Sequence, residues 1–247
     1  MIPLSIKFFG VKVSLITREE LNEYLIHSIY ENSVFRIIFL DEKKLFLSLF
    51  NKEFRELLLN TEVVICTSIT IRWIIKFLTK KEIPIMMPVT VFLDFMRVTD
   101  DMNYTVYLFG GSKKVANENY KRIRRSFPKT RIVGYYKSKV KSKELNNVLV
   151  NIRKSSPQLL FVNLGGGWKQ EKWISNSKEY YKNSIVVGVD KSFEIIAGKR
   201  KMPPLWFQEK NLNGLFYSLS KPYNIFRFFR IIVLFVVALI KKIRKET

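Results

Sequence analysis

The chain has 247 residues, 47% of them hydrophobic, which is enough for a sizeable core and too apolar for a disordered polymer. Its formal net charge is +22, a field that draws polyanions such as nucleic acid, anionic lipid or diphosphate-bearing substrates. With one cysteine, Cys66, and one histidine, His27, a disulfide framework within the chain and a Cys/His zinc cluster are excluded, so a general base must be a carboxylate, a lysine, a tyrosine or that histidine. The first residues lack a cationic start, a long apolar stretch and a small-residue cleavage site, so no secretory signal is expected. Residues 6–13 read as extended structure with a turn at Gly10. Thr17-Arg18-Glu19-Glu20 is a capping box, which predicts a helix with Leu21, Tyr24, Leu25 and Ile29 on one face and His27 at its surface.

Beyond that helix, short apolar runs alternate with helical patterns. Strands are predicted at 35–40, 62–66, 104–109, 131–135, 159–164 and 185–189. Most are near-continuous apolar runs, as strands covered on both faces require. Residues 115–127 and 142–154 carry helical periodicity. The alternation predicts an α/β, Rossmann-like domain with a largely parallel sheet and helices on both faces. Cys66 ends the run Val63-Val64-Ile65-Cys66 and reads as a buried strand residue.

Ligands of such sheets bind outside the carboxyl ends of the strands. Two turns there are rich in glycine: Phe109-Gly110-Gly111-Ser112 and Leu164-Gly165-Gly166-Gly167-Trp168. Each follows a strand and opens a helix, where free N–H groups favour phosphate. Neither has the full dinucleotide or P-loop spacing.

The C-terminal segment has a different character. Phe226, Phe228 and Phe229 alternate with Arg227 and Arg230, residues 231–240 carry no charge, and Lys241, Lys242, Arg244 and Lys245 follow. Ten uncharged residues are too few to span a bilayer, which takes about 20. An apolar run between basic clusters suits a helical segment lying in the interface of an anionic membrane. Phe228, Phe229, Arg230, Lys241, Lys242 and Arg244 are its expected contacts.

Three groups of residues carry a family resemblance. Phe9-Gly10-Val11-Lys12-Val13 precedes Thr17-Arg18-Glu19-Glu20, and Leu108-Phe109-Gly110-Gly111-Ser112 precedes Phe127-Pro128 and Ile132-Val133-Gly134. Most specific is residues 157–165 leading into Lys169-Gln170-Glu171-Lys172-Trp173, followed by Gly188-Val189, Phe193-Glu194, Ala197-Gly198 and Pro204-Leu205-Trp206. In this order the chain resembles the WecB/TagA/CpsF glycosyltransferases of bacterial cell-surface polysaccharide synthesis. The resemblance implies a nucleotide-sugar-binding domain over 1–200 and a membrane-associating appendage over 201–247. It further implies transfer of an N-acetylmannosamine-like sugar from a UDP-sugar to a polyprenyl-diphosphate-linked acceptor, without a cofactor or metal. The expected setting is cytoplasmic, peripheral at the inner face of the membrane.

Substrate binding is then expected from Gly110, Gly111, Gly165, Gly166, Lys169, Gln170, Glu171 and Asp190. Thr67 and Ser68 stand where the family carries an Asp-Gly pair whose Asp is proposed as general base, and a threonine hydroxyl cannot replace a carboxylate near neutral pH. Asp94 and Glu171 are further catalytic candidates, and Asp41 stands where the family tends to carry asparagine. A second reading follows from Thr67: a catalytically lapsed member that binds nucleotide-sugar or supports a partner transferase. No nucleic-acid module accompanies the charge, so nucleic acid is not an expected partner. A homo-oligomer is left open.

Overall fold

The computed structural model describes residues 3–138, 142–219 and 225–244. It opens with a hairpin of β1 (Ser5–Phe8) and β2 (Val11–Ser14), paired antiparallel. Phe9 and Gly10 turn it with φ of 51° and 71°, the left-handed pair whose twist matches the flanking strands. Helix α1 (Arg18–Tyr30) starts at the capping box expected of Thr17 and Glu20, and His27 is exposed on it.

The alternating part follows as β3 (Arg36–Leu40), α2 (Glu42–Phe50), α3 (Lys52–Leu59), β4 (Val63–Cys66), α4 (Ile69–Thr79), α5 (Pro88–Asp101), β5 (Thr105–Gly110) and α6 (Lys113–Ser126). It continues as β6 (Arg131–Tyr136), α7 (Ser142–Ser155), β7 (Leu159–Asn163), α8 (Trp168–Asn176), β8 (Ile185–Gly188) and α9 (Ser192–Ile196). The last elements are α10 (Leu205–Glu209), α11 (Asn213–Leu219) and α12 (Ile225–Ile243). Strands β3 to β8 form one six-stranded sheet in the order β4-β3-β8-β7-β5-β6, parallel at every pairing.

Every residue of β3, β4, β7 and β8 is buried, which is why their sequences do not alternate. Successive side chains enter opposite layers. Ile37 and Phe39 of β3 pack with Leu21 and Leu25 of α1, Phe92 and Phe95 of α5 and Phe193 of α9. Ile38 and Leu40 face the other way, toward Leu45, Phe54, Leu58 and Ile71 from α2 to α4. Cys66 shares that second layer, and burial pushes its thiol up to about 12, so it stays protonated at neutral pH.

Helix α12 belongs to this second layer as well. Its Leu234 and Ala238 are fully buried against α2 and α4. Its other side presents Phe226, Phe228, Phe229, Ile232, Leu239 and Ile243 to solvent. Among the described residues no helix is long and apolar enough to cross a membrane.

Candidate functional site

The carboxyl ends of the parallel strands meet a cavity of about 620 Å³. Its floor is made by Asp41 after β3, Thr67 and Ser68 after β4, the 165–167 turn after β7, and Asp190 after β8. Asn213 and Tyr217 of α11 and Phe228 and Arg230 of α12 form another wall.

Beneath the floor lies a closed polar network organised by Lys44, in the first turn of α2. Its ammonium donates to the Phe39 carbonyl at 2.7 Å, to Glu171 Oε1 at 2.6 Å and to Asp190 Oδ1 at 2.9 Å, which uses all three of its protons. Lys44 and Glu171 are almost completely buried and Asp190 is 19% exposed. The Gln170 amide ties this network to the glycine turn. Its Oε1 accepts from the N–H groups of Leu164 (3.0 Å) and Gly166 (3.3 Å), and its Nε2 donates to Asp190 Oδ1 (2.9 Å) and Glu171 Oε1 (3.3 Å). Gln170 therefore shapes the turn with its whole amide.

Three carboxylates surround the one ammonium: Asp190, Glu171 and Asp41. Burial raises Glu171 to about 7, opposed by Lys44 and assisted by Asp190. Its Oε2 is buried without a hydrogen-bond partner among the described residues. Burial also holds Asp41 above its ordinary value, against Lys44 and with help from Asp190 and Glu42. Asp41 is the N-cap of α2, its Oδ1 accepting from the Lys44 N–H at 2.8 Å. Lys44 itself is held raised by Asp190, Glu171 and Asp41, which outweigh its burial.

At the end of β4, the Thr67 hydroxyl donates to the Leu40 carbonyl at 3.1 Å, and the Ser68 hydroxyl donates to Glu42 Oε1 at 2.7 Å. No carboxylate leaves β4 at this level. Asp41 and Glu42 stand beside it instead, because β3 and β4 pair with Leu40 opposite Cys66.

Of the residues expected from the sequence, Thr67, Gly165, Gly166 and Asp190 line the cavity, and Gln170 and Glu171 lie just behind it. Gly110 and Gly111 are at the same end of the sheet as the other glycine turn, and the Gly111 N–H donates to the Asn163 carbonyl at 3.0 Å. They are outside the cavity wall. A Cβ on Gly110 would lie 2.0 Å from that carbonyl oxygen, so this glycine serves the close approach of β5 to β7. Lys169 is exposed at the start of α8 and also outside the wall. Asp94 lies elsewhere, on α5, where it pairs with Arg18 of α1 and with Arg97 at 2.9 Å. That ion-pair position gives it no access to the cavity.

Among the expected membrane contacts, Phe228 and Phe229 are more than half exposed and Arg244 is exposed. Lys241 and Lys242 sit over the rings of Phe9 and Phe77. Arg230 turns into the cavity wall, with its Nε buried and unpartnered among the described residues. Lys245 lies outside the described residues. Sequence reasoning missed Lys44 and Glu42. The available signal was a lysine sharing the inward stripe of α2 with Leu45 and Ser48, three residues after a capping aspartate.

An open parallel sheet with its cavity at the strand carboxyl ends defines a doubly wound α/β ligand-binding protein. The profile of the glycosyl transferase WecG/TagA/CpsF family matches residues 6–247, and the chain belongs to this family. It is 27% identical over 134 residues to a Bacillus subtilis protein, which covers 54% of this chain and 51% of that one. It is 29% identical over 132 residues to one from Bacillus spizizenii (53% and 50%), and 26% identical over 117 residues to one from Staphylococcus aureus (46% and 44%). All three are named N-acetylglucosaminyldiphosphoundecaprenol N-acetyl-beta-D-mannosaminyltransferase. The match spans about half the length of these curated relatives.

Proposed function

We propose that the protein transfers an N-acetylmannosamine-like sugar from a UDP-sugar to a polyprenyl-diphosphate-linked acceptor. The family match over residues 6–247 carries this reading, and the cavity at the strand ends supports it. Inverting transfer needs a base on the acceptor hydroxyl and positive charge around the departing diphosphate. The second need is met by the start of α8 and by Arg200 and Arg230 in the wall. Arg230 is the more telling, since its buried Nε has no protein acceptor among the described residues. Residues 1–200 would then hold the nucleotide-sugar, and 201–247 would close the cavity and reach an anionic membrane at its cytoplasmic face.

Calorimetry with UDP tests the donor site. UDP should bind the wild type, and Arg230→Ala should weaken binding about tenfold, the loss of one charge-assisted hydrogen bond. Equal affinity in both would remove Arg230 from the diphosphate site, and no binding to the wild type would sink the reading. The second reading, nucleotide-sugar binding without turnover, is favoured by the hydroxyl of Thr67 at the end of β4. It predicts UDP binding with no transfer to a lipid-diphosphate-linked N-acetylglucosamine.

A further inference from the structure

An acceptor hydroxyl becomes a competent nucleophile only if a nearby group takes its proton as it attacks. His27 is on the surface of α1, outside the cavity wall. Burial raises the Tyr217 phenol, so it stays protonated near neutrality. Lysines keep their protons there too. Among the described residues the cavity is lined by three carboxylates: Asp41, Glu42 and Asp190. Glu42 is 7% exposed, and its Oε1 accepts the Ser68 hydroxyl. Asp190 Oδ1 receives both the Lys44 ammonium and the Gln170 amide, which bind it into the network beneath the floor.

Asp41 is placed differently. Unlike Asp190, it makes no direct ion pair with the Lys44 ammonium: its Oδ1 caps α2, which fixes the carboxylate, and Oδ2 accepts from no described residue. The register of β3 with β4 sets it level with Thr67, at the lip of the two strands. We infer, on the basis of the glycosyl-transfer reading, that Asp41 is the general base of the reaction, supplied from β3 where β4 offers only hydroxyls. In the step, Asp41 takes the proton of the acceptor hydroxyl while that oxygen bonds to the anomeric carbon. The bond from the anomeric carbon to the diphosphate oxygen breaks, and UDP leaves with the electron pair. The raised affinity of Asp41 for a proton suits the task. The charged groups facing it are Lys44 and Glu42 on α2 and Asp190 after β8, with Glu171 of α8 acting through Lys44.

The test uses Asp41→Asn, because asparagine caps a helix as well as aspartate does. Asp41→Ser supplies a second capping residue without a carboxylate, in case one variant folds poorly. Transfer from UDP-N-acetylmannosamine to a synthetic lipid-diphosphate N-acetylglucosamine is measured beside UDP affinity. The expected loss in kcat is about 10²–10⁴-fold, with the UDP Kd within about threefold of wild type. The fall of kcat/KM on the acidic side should vanish in both variants and persist in Asp41→Glu. A kcat within about threefold of wild type in Asp41→Asn overturns the inference. So does loss of the acidic limb in Glu42→Gln while Asp41→Asn keeps it. A wild type that binds UDP and transfers nothing overturns the base assignment and leaves the nucleotide-sugar site standing. A wild type that does not bind UDP overturns both.

Discussion

Lys44 is one buried cation serving two carboxylates and a carbonyl. Removing one partner of such a buried set leaves charge without compensation, which costs about 3–5 kcal/mol. Lys44→Met should therefore lower the free energy of unfolding read from urea titration by that amount, and a change under about 1 kcal/mol would show that the network relaxes without it. Glu171 gives a pH signature of known sign. Folded Glu171 holds a proton up to about 7, whereas the unfolded chain releases it near 4.5. Folding thus takes up a proton between these values, and this contribution to stability falls as pH rises through the window. Glu171→Gln, which cannot titrate, should flatten that slope in unfolding experiments at pH 5 and 7.5. A wild type that gains stability relative to the variant over the same interval would reverse the assignment. The Lys169-Gln170-Glu171 run was legible as a motif after a glycine turn, but the network that Gln170 and Glu171 join was not. Only the fold brings residues 44, 171 and 190 together, and no local pattern records a contact across 127 residues.

The strands and helices were legible because each obeys its own local rule. Buried parallel strands are continuous apolar runs, and Thr17 with Glu20 marks a helix start that the structure reproduces in full. The order of strands in the sheet was not legible, since periodicity records which faces are covered and not which neighbour covers them. The Gly110-Gly111 turn shows the difference. From sequence it resembled a phosphate loop, and in the fold it sits against the backbone of Asn163. Gly110→Ala should destabilise by roughly 3 kcal/mol or more, since its φ of 136° and the backbone oxygen 2.0 Å from the new Cβ leave nothing flexible to yield. Gly165→Ala is the matched control. Its Cβ meets nothing within 4 Å, so only left-handed strain of about 1–2 kcal/mol applies. Thermal melts that rank the two variants in the opposite order would show that β5 and β7 are less closely held than the structure has them.

Helix α12 is anchored to the domain on one side and unpartnered by the described residues on much of the other. The sequence announced its apolar and basic character, but not that Leu234 and Ala238 complete the core or that Arg230 faces the cavity. The triple variant Phe226→Ser, Ile232→Ser and Leu239→Ser leaves Leu234, Ala238 and the cavity wall untouched. It should lose most binding to anionic vesicles, since each large apolar side chain contributes about 1.5–3 kcal/mol when fully buried. Wild-type binding should weaken with salt without vanishing, because salt screens the basic residues and leaves apolar burial unaffected. Undiminished sedimentation of the triple variant would move the contact surface away from α12. The strand order has a further consequence, for how the chain reaches this state. The seam between β3 and β8 joins Arg36 to Val186, about 150 residues apart, in the interior of the sheet. On a ribosome adding about 5–20 residues per second, β3 waits roughly 8–30 s for its inner neighbour. During that interval the nascent chain carries an apolar strand edge with no partner, exposed to mispairing with other chains. Folding of this protein in the cell is therefore paced by translation, and early termination before β8 should yield aggregates rather than a smaller domain.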